Sequence, residues 1–111
     1  MTSVLIERSK TGVLLSCTAE GHAGYAERGS DIVCSAITVL IRTTLQVLSG
    51  LHAVNLESDA SRRGLIGFKV LKGFPSEAEE KLKYAGDFLQ TGLETLAAEF
   101  PDNLKLVINS L

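Results

Sequence analysis

Apolar and polar positions alternate at both ends of the chain, and between them apolar residues twice recur at every third or fourth position. Alternation is the period of a half-buried strand, and the longer recurrence is that of a helix with one buried face. Val4-Leu5-Ile6 reads as a short strand, ended by the hairpin turn Ser9-Lys10-Thr11-Gly12. Val13 to Glu20 follows as a second strand, with Val13, Leu15, Cys17 and Ala19 on its core face. Gly21 to Gly29 is a loop, and Ser30 or Asp31 can cap the next element. From Ile32 to Leu48 the apolar spacing is helical, with Ser49-Gly50 as the stop.

The second half repeats the scheme. His52 to Leu56 reads as a third strand, Ser58 to Gly64 as a polar turn and Leu65 to Leu71 as a fourth strand. Ser76 followed by Glu79 has the spacing of a capping box, which opens a long helix. Its apolar face is Ala78, Leu82, Ala85, Phe88, Leu89, Leu93, Leu96 and Phe100, and Pro101 ends it. Leu104 to Ile108 is a last strand. The order β-β-α-β-β-α-β predicts an α+β fold of two layers, a mostly antiparallel sheet with two main helices. Strand order stays open. The apolar stripe of the first helix is wider than one sheet needs, which points to a homodimer.

With 111 residues the chain has room for one domain, 1–111, and not for two ordinary ones. The formal charge of −2 gives no bulk attraction to nucleic acid or to an anionic membrane. The run Ile32 to Leu51 carries Arg42 and several threonines, so it reads as a packed helix and not a spanning one. Met1-Thr2-Ser3 leads straight into a strand pattern, without the look of a secretory signal. Two cysteines with no CxxC make no metal framework, so no metal or cofactor is expected, and reduced thiols in the cytoplasm are the default.

The chemistry-bearing residues concentrate around one loop. Cys34 falls in the first turn of a helix, where unpaired amides and the helix dipole favour a thiolate and offer an oxyanion hole. The plain alternative is a small buried hydrophobe. His22 stands just past a strand end beside glycines, placed to act as base to Cys34 or to be an exposed loop residue. Asp31 reads either as a helix cap or as a carboxylate orienting His22. Cys17 is core, His52 structural or solvated, and Arg62-Arg63 a solvated turn tip.

Gly21-His22-Ala23, the glycine-bearing loop and Asp31-Ile32-Val33-Cys34-Ser35-Ala36 resemble the signature of the Prp family of ribosomal-processing cysteine proteases. Length and element order fit that family along nearly the whole chain. The resemblance implies a homodimeric protease that removes a short N-terminal extension from a large-subunit ribosomal protein. It matches Cys34 to the nucleophile and His22 to its base. It also matches 23–30 to a mobile loop over the site, with Gly21, Ala23, Gly24, Gly29 and Ser30 as substrate-loop residues. Ser35 stands where the family often has alanine or glycine. The competing reading is a non-catalytic dimeric ribosome-associated binding module. A thiol redox sensor is weaker, because Cys17 offers no accessible resolving partner.

Overall fold

A computed structural model describes residues 1–27 and 31–111. Its elements are β1 (Thr2–Arg8), β2 (Leu14–Glu20), α1 (Ile32–Ser49), β3 (Leu56–Asp59), β4 (Leu65–Val70), a 3-10 turn (Ser76–Ala78), α2 (Glu79–Glu99) and β5 (Leu104–Ser110). The expected order is therefore observed. The five strands form one sheet in the order β3-β4-β2-β1-β5. Three neighbouring pairs are antiparallel, and β1 with β5 is parallel because α2 carries the chain back across the sheet.

Both helices cover one face of the sheet. Val4, Ile6, Cys17, Ala19, Phe68 and Val70 point into that layer. They meet Val33, Ile37, Ile41 and Leu48 of α1 and Leu82, Leu89 and Leu93 of α2. Each such leucine or isoleucine, fully buried, contributes about 1.5–3 kcal/mol by leaving water. By length and composition α1 is apolar enough to cross a membrane. Here its stripe Val33, Ile37, Ile41, Thr44 and Leu48 packs in the core.

Four expectations change in detail. The β1–β2 register runs Glu7↔Ser16 and then Arg8↔Leu14, so Leu15 is an inserted bulge residue. The bulge turns Leu14, and not Leu15, into the core beside Cys17 and Ala19. His52 lies in a turn, because Val54 N–H donates to Leu51 O and doubles the chain back; Ala53 there has φ +59°. The third strand starts only at Leu56, and Glu57, Ser58 and Asp59 pair with β4 as a polar edge strand. Instead of a capping box, the 3-10 turn precedes α2, with Ala78 N–H on Pro75 O. Finally, Phe88, expected on the buried face of α2, points outward.

Arg8 ties the end of β1 to α2. Its guanidinium donates to Gly12 O, Lys83 O and Gln90 Oε1 and pairs with Asp87 at 2.7 Å. It lies flat on Gly86, where a Cβ would come within 2.8 Å of Nη2. Glycine in mid-helix is unfavourable in itself, and this close approach is the packing reason for it.

Candidate active site

The site forms at the end of the sheet where β2 finishes and α1 begins. Gly21 makes the turn out of β2 with φ +97°. A Cβ there would lie 2.6 Å from Met1 O, so only glycine lets the loop pass so close to the N-terminal strand. Gly21 N–H donates to Gly64 O at 2.8 Å, which fixes the loop's first residue to the β3–β4 turn. The next side chain, His22, rests its ring on Gly64: a Cβ on that glycine would stand 3.3 Å from Nε2. The adjoining Arg62 forms an ion pair with Glu20 at the end of β2.

Ala23 is buried, and both its backbone groups are engaged. Its N–H donates to Cys34 Sγ at 3.1 Å. Its carbonyl accepts from Asn103 Nδ2 at 2.9 Å. The structure thus brings the His22-Ala23 segment onto the sulfur of Cys34, which is half-buried at the third residue of α1. Gly24 follows with φ +73°, and Tyr25 stacks edge-on against Phe100 at 5.3 Å between centroids. The expected loop residues Gly29 and Ser30 lie outside the described residues.

Asp31 is the N-cap of α1. Its Oδ1 accepts from Val33 N–H and Cys34 N–H, both at 3.0 Å. Its Oδ2 accepts from Tyr25 N–H at 3.0 Å and Ala26 N–H at 3.4 Å. The residue is only 6% exposed. Burial by itself disfavours the charge, but the amides of Cys34, Ala26, Tyr25 and Val33 together outweigh it and hold the carboxyl below its usual range. Of the two readings of Asp31, these contacts are those of a cap that also gathers the loop. They also correct the expected oxyanion hole. The first-turn amides of Val33 and Cys34 are turned back onto Asp31, and Ser35 N–H bonds Asp31 O.

The second thiol is different. Cys17 is fully buried, and burial pushes it up to about 12. Among the described residues no group of three or more His, Cys, Asp and Glu side chains is placed to hold a metal. Asn103 and Gly64 are the two site residues that sequence reasoning missed. Neither belongs to the loop signature, and both arrive through tertiary contacts.

Comparison with known proteins gives the family of the chain. The family model for cysteine protease Prp matches residues 1–105. The ribosomal processing cysteine protease Prp of Bacillus subtilis is 28% identical over 113 residues, which cover 98% of each chain. An essential ribosomal processing protease Prp from S. aureus, solved with a covalently linked product peptide, superposes with a TM-score of 0.81 at 21% identity. That match covers 98% of this chain and all of the other. A protein of Streptococcus mutans aligns at 28% identity and a TM-score of 0.77, over all of this chain and 96% of its own. With the family model matching nearly its full length, this chain belongs to the Prp family of cysteine proteases.

Proposed function

We propose that this chain is a processing endopeptidase that removes a short N-terminal extension from a large-subunit ribosomal protein, with Cys34 as nucleophile and His22 as base. The observation that carries the reading is the Ala23 N–H on Cys34 Sγ at 3.1 Å, next to His22 in the chain. A backbone donor on sulfur is a contact suited to a thiolate, the form that attacks carbonyls.

In the reaction the Cys34 sulfur bonds to the scissile carbonyl carbon, and the carbon–nitrogen bond breaks. His22 takes the thiol proton and delivers it to the leaving amine. Water then attacks the thioester, its proton passes through His22, and the sulfur leaves as thiol. The oxygen that gains charge needs a donor close to the sulfur, and Ala23 N–H is at hand there. No cofactor enters this scheme. The loop that starts at Gly21 closes over the peptide and holds its scissile carbonyl against the Cys34 sulfur.

The partner is an extended, unfolded peptide, and the compartment is the cytoplasm, where ribosomal proteins are made. Neither nucleic acid nor a membrane is required. The working unit in this reading is a homodimer. α1 and α2 leave an open apolar groove of about 510 Å³, bordered by Val47, Tyr84 and Phe88, which are 59%, 71% and 61% exposed. A second copy would cover these side chains, and light scattering should report twice the chain mass. A strict monomer at high concentration would remove the dimer from the account.

The test of the activity is direct. The protein is incubated with ribosomal-protein precursors, and the new N-terminus is mapped by mass spectrometry. Cleavage that is lost in Cys34→Ser supports the reading; binding without cleavage supports the non-catalytic module.

A further inference from the structure

Asn103 lies eighty positions from Ala23, on the turn between α2 and β5, and its side chain reaches the heart of the site. The turn holds it rigidly. Asn103 N–H donates to Phe100 O at 3.0 Å, and Asn103 O accepts from Thr2 N–H at 3.0 Å. Both backbone groups being fixed, the side-chain amide points at a set place, and there it donates to Ala23 O at 2.9 Å. Because the partner is a carbonyl, the amide must present its nitrogen. Ala23 is only 1% exposed, so its carbonyl has no water to replace that donor. On the other side of the same residue, Ala23 N–H meets Cys34 Sγ at 3.1 Å.

One residue is therefore held between a turn and the sulfur, and it directly follows His22. Tyr25, two residues on, packs its ring on Phe100 of the same turn. The α2–β5 turn is thus an anchor for a loop that is otherwise rich in glycine.

We propose that Asn103 is a positioning residue for the cleavage reaction: through the Ala23 carbonyl it holds the His22-Ala23 segment so that the Ala23 N–H lies on the Cys34 sulfur. Asn103 bonds the Ala23 carbonyl and not the sulfur. Its effect passes through the backbone of one residue. The inference rests on Cys34 and His22 being the working pair. Small displacements of reacting groups are costly, of the order of a hundredfold for about 1 Å.

The test compares Asn103→Ala, which removes the donor, and Asn103→Asp, which sets a carboxylate oxygen against the carbonyl. Two readouts are taken well below the melting temperature, with folding checked by circular dichroism. The first is kcat and KM on a peptide that spans the N-terminal extension. The second is the rate at which iodoacetamide labels Cys34 at pH 7, which needs no substrate. Both variants should lose about tenfold or more in kcat, with KM within about twofold of wild type. Labelling of Cys34 should slow several-fold. If Asn103→Ala melts below the assay temperature, Asn103→Ser removes the same reach at less cost to packing and is read in the same way.

Unchanged kcat with faster labelling would make Asn103 a cover over the thiol and overturn the proposal. Unchanged values for both readouts would overturn it as well. If instead Cys34→Ser still cleaves, the fault lies with the assignment of the nucleophile, and labelling alone then decides whether Asn103 acts on Cys34.

Discussion

Replacing Asp31 by alanine should destabilise the protein by about 3 kcal/mol at neutral pH. The structure shows where that figure comes from. Oδ1 caps α1 through Val33 and Cys34 amides, and loss of such a cap costs about 1 kcal/mol. Oδ2 accepts from Tyr25 N–H at 3.0 Å, and a hydrogen bond to a charged, buried acceptor contributes about 1.5–3 kcal/mol. The Ala26 contact at 3.4 Å adds little. For a domain of this size about 4 °C is lost per kcal/mol, so the melting temperature should fall by about 12 °C. The pH dependence follows from the depressed carboxyl. Its stabilising charge is fully present above the ordinary carboxylate value of 3.8 and is lost as pH falls through the lower value of the folded state. The gap between wild type and Asp31→Ala should thus be constant from neutrality down to about pH 5 and narrow as the pH is taken below the ordinary carboxylate value of 3.8. Asp31→Asn keeps one acceptor for the cap but brings an NH2 to the other amides, and should fall in between. Thermal melts by circular dichroism across this range measure all three. A neutral-pH gap under about 2 °C, or one that widens on acidification below the ordinary carboxylate value, would refute the reasoning.

Two further outcomes concern the site. At pH 7 iodoacetamide should label Cys34 of the native protein and leave Cys17 untouched, since Cys17 is fully buried and burial raises it to about 12; both should label in guanidinium. Comparable native rates at the two thiols, read by peptide mass spectrometry, would contradict that environment. Gly64→Ala should strain a backbone at φ +77° and press a Cβ to 3.3 Å from His22 Nε2, lowering kcat about tenfold or more while the sheet stays folded. Unaltered kcat would show that the histidine does not depend on that surface.

Much of the architecture was legible because burial leaves its period in the chain. Both helices and the β1–β2 hairpin stand out through stripes of apolar residues. The third strand is read in its place in the order but too early, at His52–Leu56 instead of Leu56–Asp59, since Glu57, Ser58 and Asp59 form an edge whose polarity looks like a turn. The β1–β2 bulge was equally hidden, because Leu14 and Leu15 are alike and only the register decides which one is buried. His22, Asp31 and Cys34 were legible as a local signature. Asn103 and Gly64 were not: each acts through contacts made across the fold, and an isolated asparagine or glycine in a turn carries no periodic signal.

The central claim is that Cys34 and His22 form the cleaving pair. Its most direct measurement is time-resolved mass spectrometry of a ribosomal-protein precursor with wild type, Cys34→Ser and His22→Ala. The account predicts a single new N-terminus and a transient acyl-enzyme on Cys34 with wild type, and neither with the two variants. Full processing by Cys34→Ser, or an acyl adduct on any other residue, would contradict it.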